Sequence, residues 1–230
     1  MSDYVKKVKL FLERYSNPTE GKRMSRYLKG KFLFLGISAP DRKELFKIFF
    51  STFPLPPYAE AKVLAKELFY LPEREYSYFA IELLAKHKKK WSPTDIVFFE
   101  NLVLTKSWWD TTDMINSKII TVFFKKYPNL APVLTSGWSS SDNIWLKRLS
   151  IIFQLPYKTE TNMELLEKHI LENSDNDSLF IQKAIGWALR EYSKTDYKWV
   201  LNFVIQNSTR LKTISKREAI KWMDDKGLIE

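Results

Sequence analysis

A carboxylate set among indoles is the arrangement in this sequence best suited to meet a positive charge. It lies in Thr105-Lys106-Ser107-Trp108-Trp109-Asp110-Thr111-Thr112-Asp113. Ser107 and Asp110 have the spacing of a capping box, in which a hydroxyl and an acid three residues on satisfy backbone N–H groups at a helix start. That gives Asp110 a structural task and leaves Asp113 on the next turn. Trp109 and Asp113 are four apart and share a helix face. Trp108, about 100° round the helix, turns toward the core. An aromatic face and a negative charge both stabilise a developing cation. A buried tryptophan beside a solvated aspartate has the same spelling, so the pair gains meaning only from partners elsewhere.

Other segments supply such partners. Ser141-Asp142-Asn143-Ile144-Trp145-Leu146-Lys147-Arg148 opens a helix with cap-type residues and delivers Arg148 one turn inside. There a guanidinium can hold a phosphate in a fixed fork. Gln182-Lys183-Ala184-Ile185-Gly186-Trp187 runs on to Arg190-Glu191-Tyr192 and puts a glycine in mid-helix, at a cost of about 1 kcal/mol relative to alanine. A close approach, by a ligand or by a neighbouring helix, accounts for such a glycine. Near the N-terminus, Arg23 and Arg26 precede Tyr27. Much chemistry is excluded. Cysteine is absent and the histidines are His87 and His169, so zinc, iron–sulfur and thiol chemistry lack their usual ligands. Six scattered glycines cannot build a phosphate-binding loop. No metal and no cofactor are expected.

The elements that position these residues read as helices. Ser38 with Asp41, Ser92 with Asp95, Ser107 with Asp110 and Ser215 with Glu218 each mark a helix start. The one good β run, Phe32 to Ile37, has no evident partner and reads as a lone strand or a buried helix end. Ala80, Leu149, Ala184 and Ala219 sit in similar settings, with a period of roughly 35 residues or twice that. Helix pairs that cannot bury their apolar faces alone must stack on neighbours. The expected fold is therefore all-α, a curved α-solenoid of helix-pair repeats forming a single domain over residues 1–230. Lys147-Arg148, Lys183 and Lys216-Arg217 precede the small residue in three copies, which predicts a basic concave face.

Lysine plus arginine number 37 against 27 acidic residues, a net charge of +10. A surplus of that size suits a polyanion such as nucleic acid, or simply a soluble surface. The chain shows no basic helix face backed by an exposed apolar stripe, and no apolar run long enough for a signal or a span. No membrane partner is expected, and the reading places the protein in the cytoplasm, with the nucleoid when bound to DNA.

Taken together, Lys106-Ser107-Trp108-Trp109-Asp110 with Asp113, Ser141-Asp142-Asn143-Ile144-Trp145-Leu146 with Arg148, Gln182-Lys183-Ala184-Ile185-Gly186-Trp187 with Arg190-Glu191-Tyr192, and Ser215-Lys216-Arg217-Glu218-Ala219-Ile220 resemble the AlkD-type DNA alkylation-repair glycosylases. The likeness runs from about Tyr27 to the C-terminus, with the blocks in the family's order. It implies HEAT-like repeats and a monomeric, monofunctional glycosylase that hydrolyses N3- and N7-alkylated purines, such as 3-methyladenine and 7-methylguanine, from double-stranded DNA. It implies that Asp113 is the catalytic carboxylate, that Trp109 and Trp187 flank the lesion's sugar, and that Arg148 and Tyr27 face the DNA backbone. Lys147, Lys183, Arg190, Lys216 and Arg217 are the further DNA-binding candidates. It also implies a base that stays stacked, where most base-modifying enzymes flip their target. Two positions depart from the pattern: the Ser38-Ala39 loop is less polar, and Pro156 stands where a basic residue is typical. The competing expectations are a catalytically inactive repeat scaffold for DNA or protein, and a helix-turn-helix regulator, which would show strong sequence preference where backbone binding shows little.

Overall fold

The computed structural model describes residues 1–229 and is built of helices. In chain order they are α1 (Asp3–Glu13), α2 (Pro18–Tyr27), α3 (Ala39–Thr52), α4 (Tyr58–Tyr70), α5 (Arg74–Lys86), α6 (Asp95–Leu104), α7 (Trp109–Ile115), α8 (Thr121–Lys126), α9 (Ala131–Ser140), α10 (Ile144–Ile152), α11 (Met163–Glu172), α12 (Leu179–Ser193), α13 (Tyr197–Gln206) and α14 (Thr213–Asp225). A π-turn at Asn116–Ile120 joins α7 to α8 without a break. Among the described residues no strand forms, and no helix is long and apolar enough to cross a membrane. The fold is all-helical, as the sequence predicts. It comprises two compact units, Met1–Lys106 and Ser107–Glu230.

The first unit packs around Phe49, which meets Tyr4, Phe11, Phe53 and Phe79 edge-on or tilted at centroid distances of 4.6–5.8 Å. Such aromatic pairs add to ordinary burial because ring edges and faces carry opposite partial charges. The Phe32–Ile37 run is neither strand nor helix end. It lies extended, with a single bridge from Leu33 to Glu73. The buried Glu75 carboxylate accepts the N–H groups of Leu35, Gly36 and Ile37 at 3.0–3.2 Å. A side chain therefore does for this segment what a neighbouring strand would otherwise do.

The second unit stacks α9 to α14 around Ile151, Ile152, Ile170, Ile181, Ile185, Leu189, Val200, Phe203 and Met223. Here the repeat is visible in the polar contacts, which join residues 32 to 36 positions apart: Asn116 to Ile152, Thr121 to Phe153, Thr135 to His169, Ser139 to Glu172, and Ser215 to Gln182. Ala80, Leu149, Ala184 and Ala219, which set the phase of the sequence repeat, are all fully buried.

Two capping boxes differ from expectation. The N-cap of α7 is Trp108, in extended conformation and with no side-chain capping hydrogen bond, so the helix starts one residue later than Ser107 predicts. Ser215 lies inside α14, which begins at Thr213. Its hydroxyl is spent between repeats, on Gln182 Oε1 at 2.6 Å, and Gln182 Nε2 donates in turn to the Asn176 carbonyl at 2.7 Å. Ser38 caps α3 as predicted, with its Oγ 2.6 Å from Asp41 Oδ2. At Ser92 and Asp95 only the acid's half is made: Asp95 accepts from the Ser92 N–H at 2.7 Å, but the N-cap is Thr94.

The glycine in α12 is explained by its neighbour. A Cβ on Gly186 would lie 2.4 Å from Glu218 Cβ and 3.0 Å from the Ser215 carbonyl oxygen, so α14 is the close approach. Helix propensity alone predicts that Gly186→Ala stabilises the protein by about 1 kcal/mol. Overpacking against α14 reverses the sign, and we expect urea denaturation to show a loss of roughly 1–3 kcal/mol.

Candidate functional site

In the second unit, α7, α10 and α12 place Asp113, Arg148 and Trp187 beside one another. Trp108, Trp145 and Phe180 form the backing, with centroids 5.0–5.5 Å apart, and fix one end of each helix. Trp108 packs against this aromatic cluster but is half-buried rather than in the core that the sequence reading assigns it. Trp109 is half-buried.

Arg148 is 5% exposed. Its Nε and Nη2 donate to the two Asp113 oxygens at 2.7 and 2.8 Å, and its Nη1 donates to the Phe180 carbonyl at 2.6 Å. The guanidinium carbon lies 5.8 Å from the centre of the Trp187 ring. The fork that the sequence reading reserves for a phosphate is closed on Asp113 in this structure. A bidentate pair of this kind fixes the plane of the carboxylate as well as its position.

Burial pushes the Asp113 carboxyl above its ordinary value, against the opposing effect of the Arg148 hydrogen bonds and charge; Asp110 adds to the rise. The carboxylate retains capacity. Each oxygen takes one N–H from Arg148, and an ionised carboxylate has about four lone-pair sites in all. The Asp113 side chain is 20% exposed.

The basic candidates are more dispersed. Lys147 Nζ donates to the Ser139 carbonyl at 2.9 Å, and Lys216 Nζ to the Ser208 carbonyl at 2.8 Å. Arg190 is paired with Glu218. Lys183 and Arg217 are exposed. Tyr27 ends α2 in the first unit and is 74% exposed. Sequence reasoning missed Phe180, Asn116 and Thr121, whose contacts hold the site's helices together. A carbonyl acceptor leaves no trace in residue type, and the two polar residues carry no cap or charge signal. Among the described residues no group of His, Cys, Asp and Glu is placed to hold a metal ion.

Stacked helices that bury an acid in a bidentate pair with an arginine, itself beside an indole, define an all-helical protein built around one polar cluster. The comparisons make this specific. A family model described as DNA alkylation repair enzyme matches residues 8–223. Among solved structures, a predicted DNA alkylation repair enzyme from Enterococcus faecalis is similar at 32% identity and a TM-score of 0.83, over 90% of this chain and 96% of that one. The comparison with curated proteins gives no match. The chain belongs to the DNA alkylation repair enzyme family, which assigns it to DNA repair with DNA as its partner.

Removing one half of a buried ion pair strands the other. We expect Arg148→Met to lower stability by about 3 kcal/mol, the lower end for such pairs because Asp113 keeps some solvent contact. Adding Asp113→Asn should recover part of that loss in urea denaturation, and a double-mutant cycle reads the coupling.

Proposed function

We propose that this chain is a monofunctional DNA glycosylase that hydrolyses the N-glycosidic bond of cationic N3- and N7-alkylated purines in duplex DNA. The observation that carries this reading is the Asp113 carboxylate, gripped by both oxygens and set beside an indole-flanked guanidinium.

Alkylation at N3 or N7 gives the purine a positive charge, so the base already leaves as a neutral molecule and needs no general acid. As the C1′–N bond breaks, its electron pair goes to the base and the sugar becomes oxocarbenium-like. A fixed carboxylate in a water-poor site stabilises that cation, because its orientation is set before the reaction and costs no reorganisation. The oxygen of a water then adds to C1′, and Asp113 is suited to orient that water and take its proton. An ionised carboxylate has about four lone-pair sites, so Arg148 leaves some of them available for this task.

Trp109 and Trp187 would exclude water around the sugar and contribute cation–π attraction. Neutral bases lack the built-in leaving-group charge, so selectivity for charged lesions follows from differential stabilisation of the transition state. Arg148 acts chiefly by positioning Asp113, with Tyr27, Lys147, Lys183, Arg190, Lys216 and Arg217 as candidates for holding the backbone. Neutralising phosphates in this way makes affinity fall steeply with salt.

The test is release of free 7-methylguanine from methylated duplex DNA by the purified protein. Asp113→Asn should lower the rate on the order of 100-fold or more while leaving duplex affinity nearly unchanged. An unchanged rate would remove Asp113 from the chemistry and favour a binding scaffold. The pH profile is a second check. Protonation removes the negative charge, so the rate falls as pH drops through the Asp113 pKa, and burial places that acid limb above the ordinary aspartate value of 3.8.

A further inference from the structure

The helix that carries Asp113 is continuous with α8 only through the π-turn, in which the Thr121 N–H bonds the Asn116 carbonyl, five residues back. Single π-turns inside α-helices are rare and recur at functional sites. Here the turn has a geometric consequence. Asn116 Nδ2 donates to the Ile152 carbonyl at 3.0 Å, and Thr121 Oγ1 donates to the Phe153 carbonyl at 2.8 Å. Both acceptors are at the C-terminal end of α10, where carbonyls lack partners within their own helix. Both donors are buried, at 2% and 4% exposure.

In an uninterrupted α-helix at about 100° per residue, residues five apart point about 140° away from each other. Asn116 and Thr121 could not then both reach α10. A turn closed between residues five apart brings its two ends to one face. Asp113, three residues before Asn116, lies within about 60° of that same face, where Arg148 meets it, one helical turn before Ile152. The Tyr157 hydroxyl closes the far end by donating to the Thr121 carbonyl at 2.7 Å. Burial raises the Tyr157 pKa, so it stays a donor.

We propose that Asn116 and Thr121 are positioning residues, which clamp α7 to α10 across the π-turn and so hold the Asp113 carboxylate in the plane of the Arg148 fork. This rests on the reading of Asp113 as the reacting acid. The clamp explains how a helix of only seven residues with no side-chain cap holds its acid in place. The cost of a loose clamp is set by the sensitivity of such sites, where a displacement of about 1 Å can lower a rate 100-fold.

The test has a part that needs no substrate. In wild-type protein the Arg148 Nε–H, assigned in NMR spectra by its loss in Arg148→Lys, should exchange slowly with solvent. Thr121→Val and Asn116→Leu should both speed that exchange, and Thr121→Ser should restore it. With methylated duplex, Thr121→Val and Asn116→Leu should lower kcat by roughly 10- to 100-fold with little change in duplex affinity, Thr121→Ser again recovering. Loosening the fork removes the guanidinium that opposes the burial shift of Asp113, so the acid limb should move to higher pH.

Spacing gives an independent check. Deleting Ser117, an exposed residue of the turn, puts Asn116 and Thr121 four apart, which an ordinary α-turn brings to one face, so excision should survive. Inserting one alanine there should abolish it. Should Asn116→Leu fail to fold, the Thr121→Val and Thr121→Ser pair still decides. Folded Thr121→Val protein with wild-type exchange at Arg148, or an insertion variant with wild-type excision, would overturn the proposal. Wild-type protein that releases no base would overturn the functional reading alone, since the exchange measurement stands without it.

Discussion

The pairing of Asp113 with Arg148 organises the second unit. An ionised acid could not stay largely buried alone, because desolvation would drive it to the neutral form. An arginine there would be still more costly unpaired. Together, with the Phe180 carbonyl taking a third N–H, they form a group that the interior accepts. The geometry of α7, α10 and α12 follows from that requirement, since each contributes one element of the arrangement and none can turn without breaking it. A buried pair of this sort contributes little net stability compared with an apolar core. Its value lies in a charge held in a defined direction.

Much of this was legible in the chain. The helix starts that the sequence marks at Ser38 and Asn143 are found where the caps predict them. The small residues at Ala80, Ala184 and Ala219 mark the buried seam, because close helix packing selects for them wherever they recur. Gly186 signals a close neighbour, and the neighbour is α14. The four family blocks carried the family itself, which the matching model and the solved relative bear out.

The rest was hidden for physical reasons. Arg148 presents the same residue type whether its fork meets a phosphate or a carboxylate, and only the three-dimensional placement of Asp113 selects between them. Ser215 and Glu218 have the spelling of a helix start, yet the serine hydroxyl is drawn to Gln182 in the preceding repeat. Periodicity cannot anticipate that competition. The Phe32–Ile37 run reads as a strand from its residue types, but the partner that satisfies its extended backbone is a glutamate side chain. The π-turn has no signature in composition at all.

The polar contacts that reach one repeat ahead also bear on how such a molecule changes over time. Asn116, Thr121, Thr135, Ser139 and Ser215 in the second unit each answer to the adjacent copy. Damage from a substitution is therefore confined to the copies it joins, as in other quasi-linear architectures. A lineage that exchanges the acid together with its arginine need not unravel the remainder, and a descendant without the pair would keep a folded body free to take up different work.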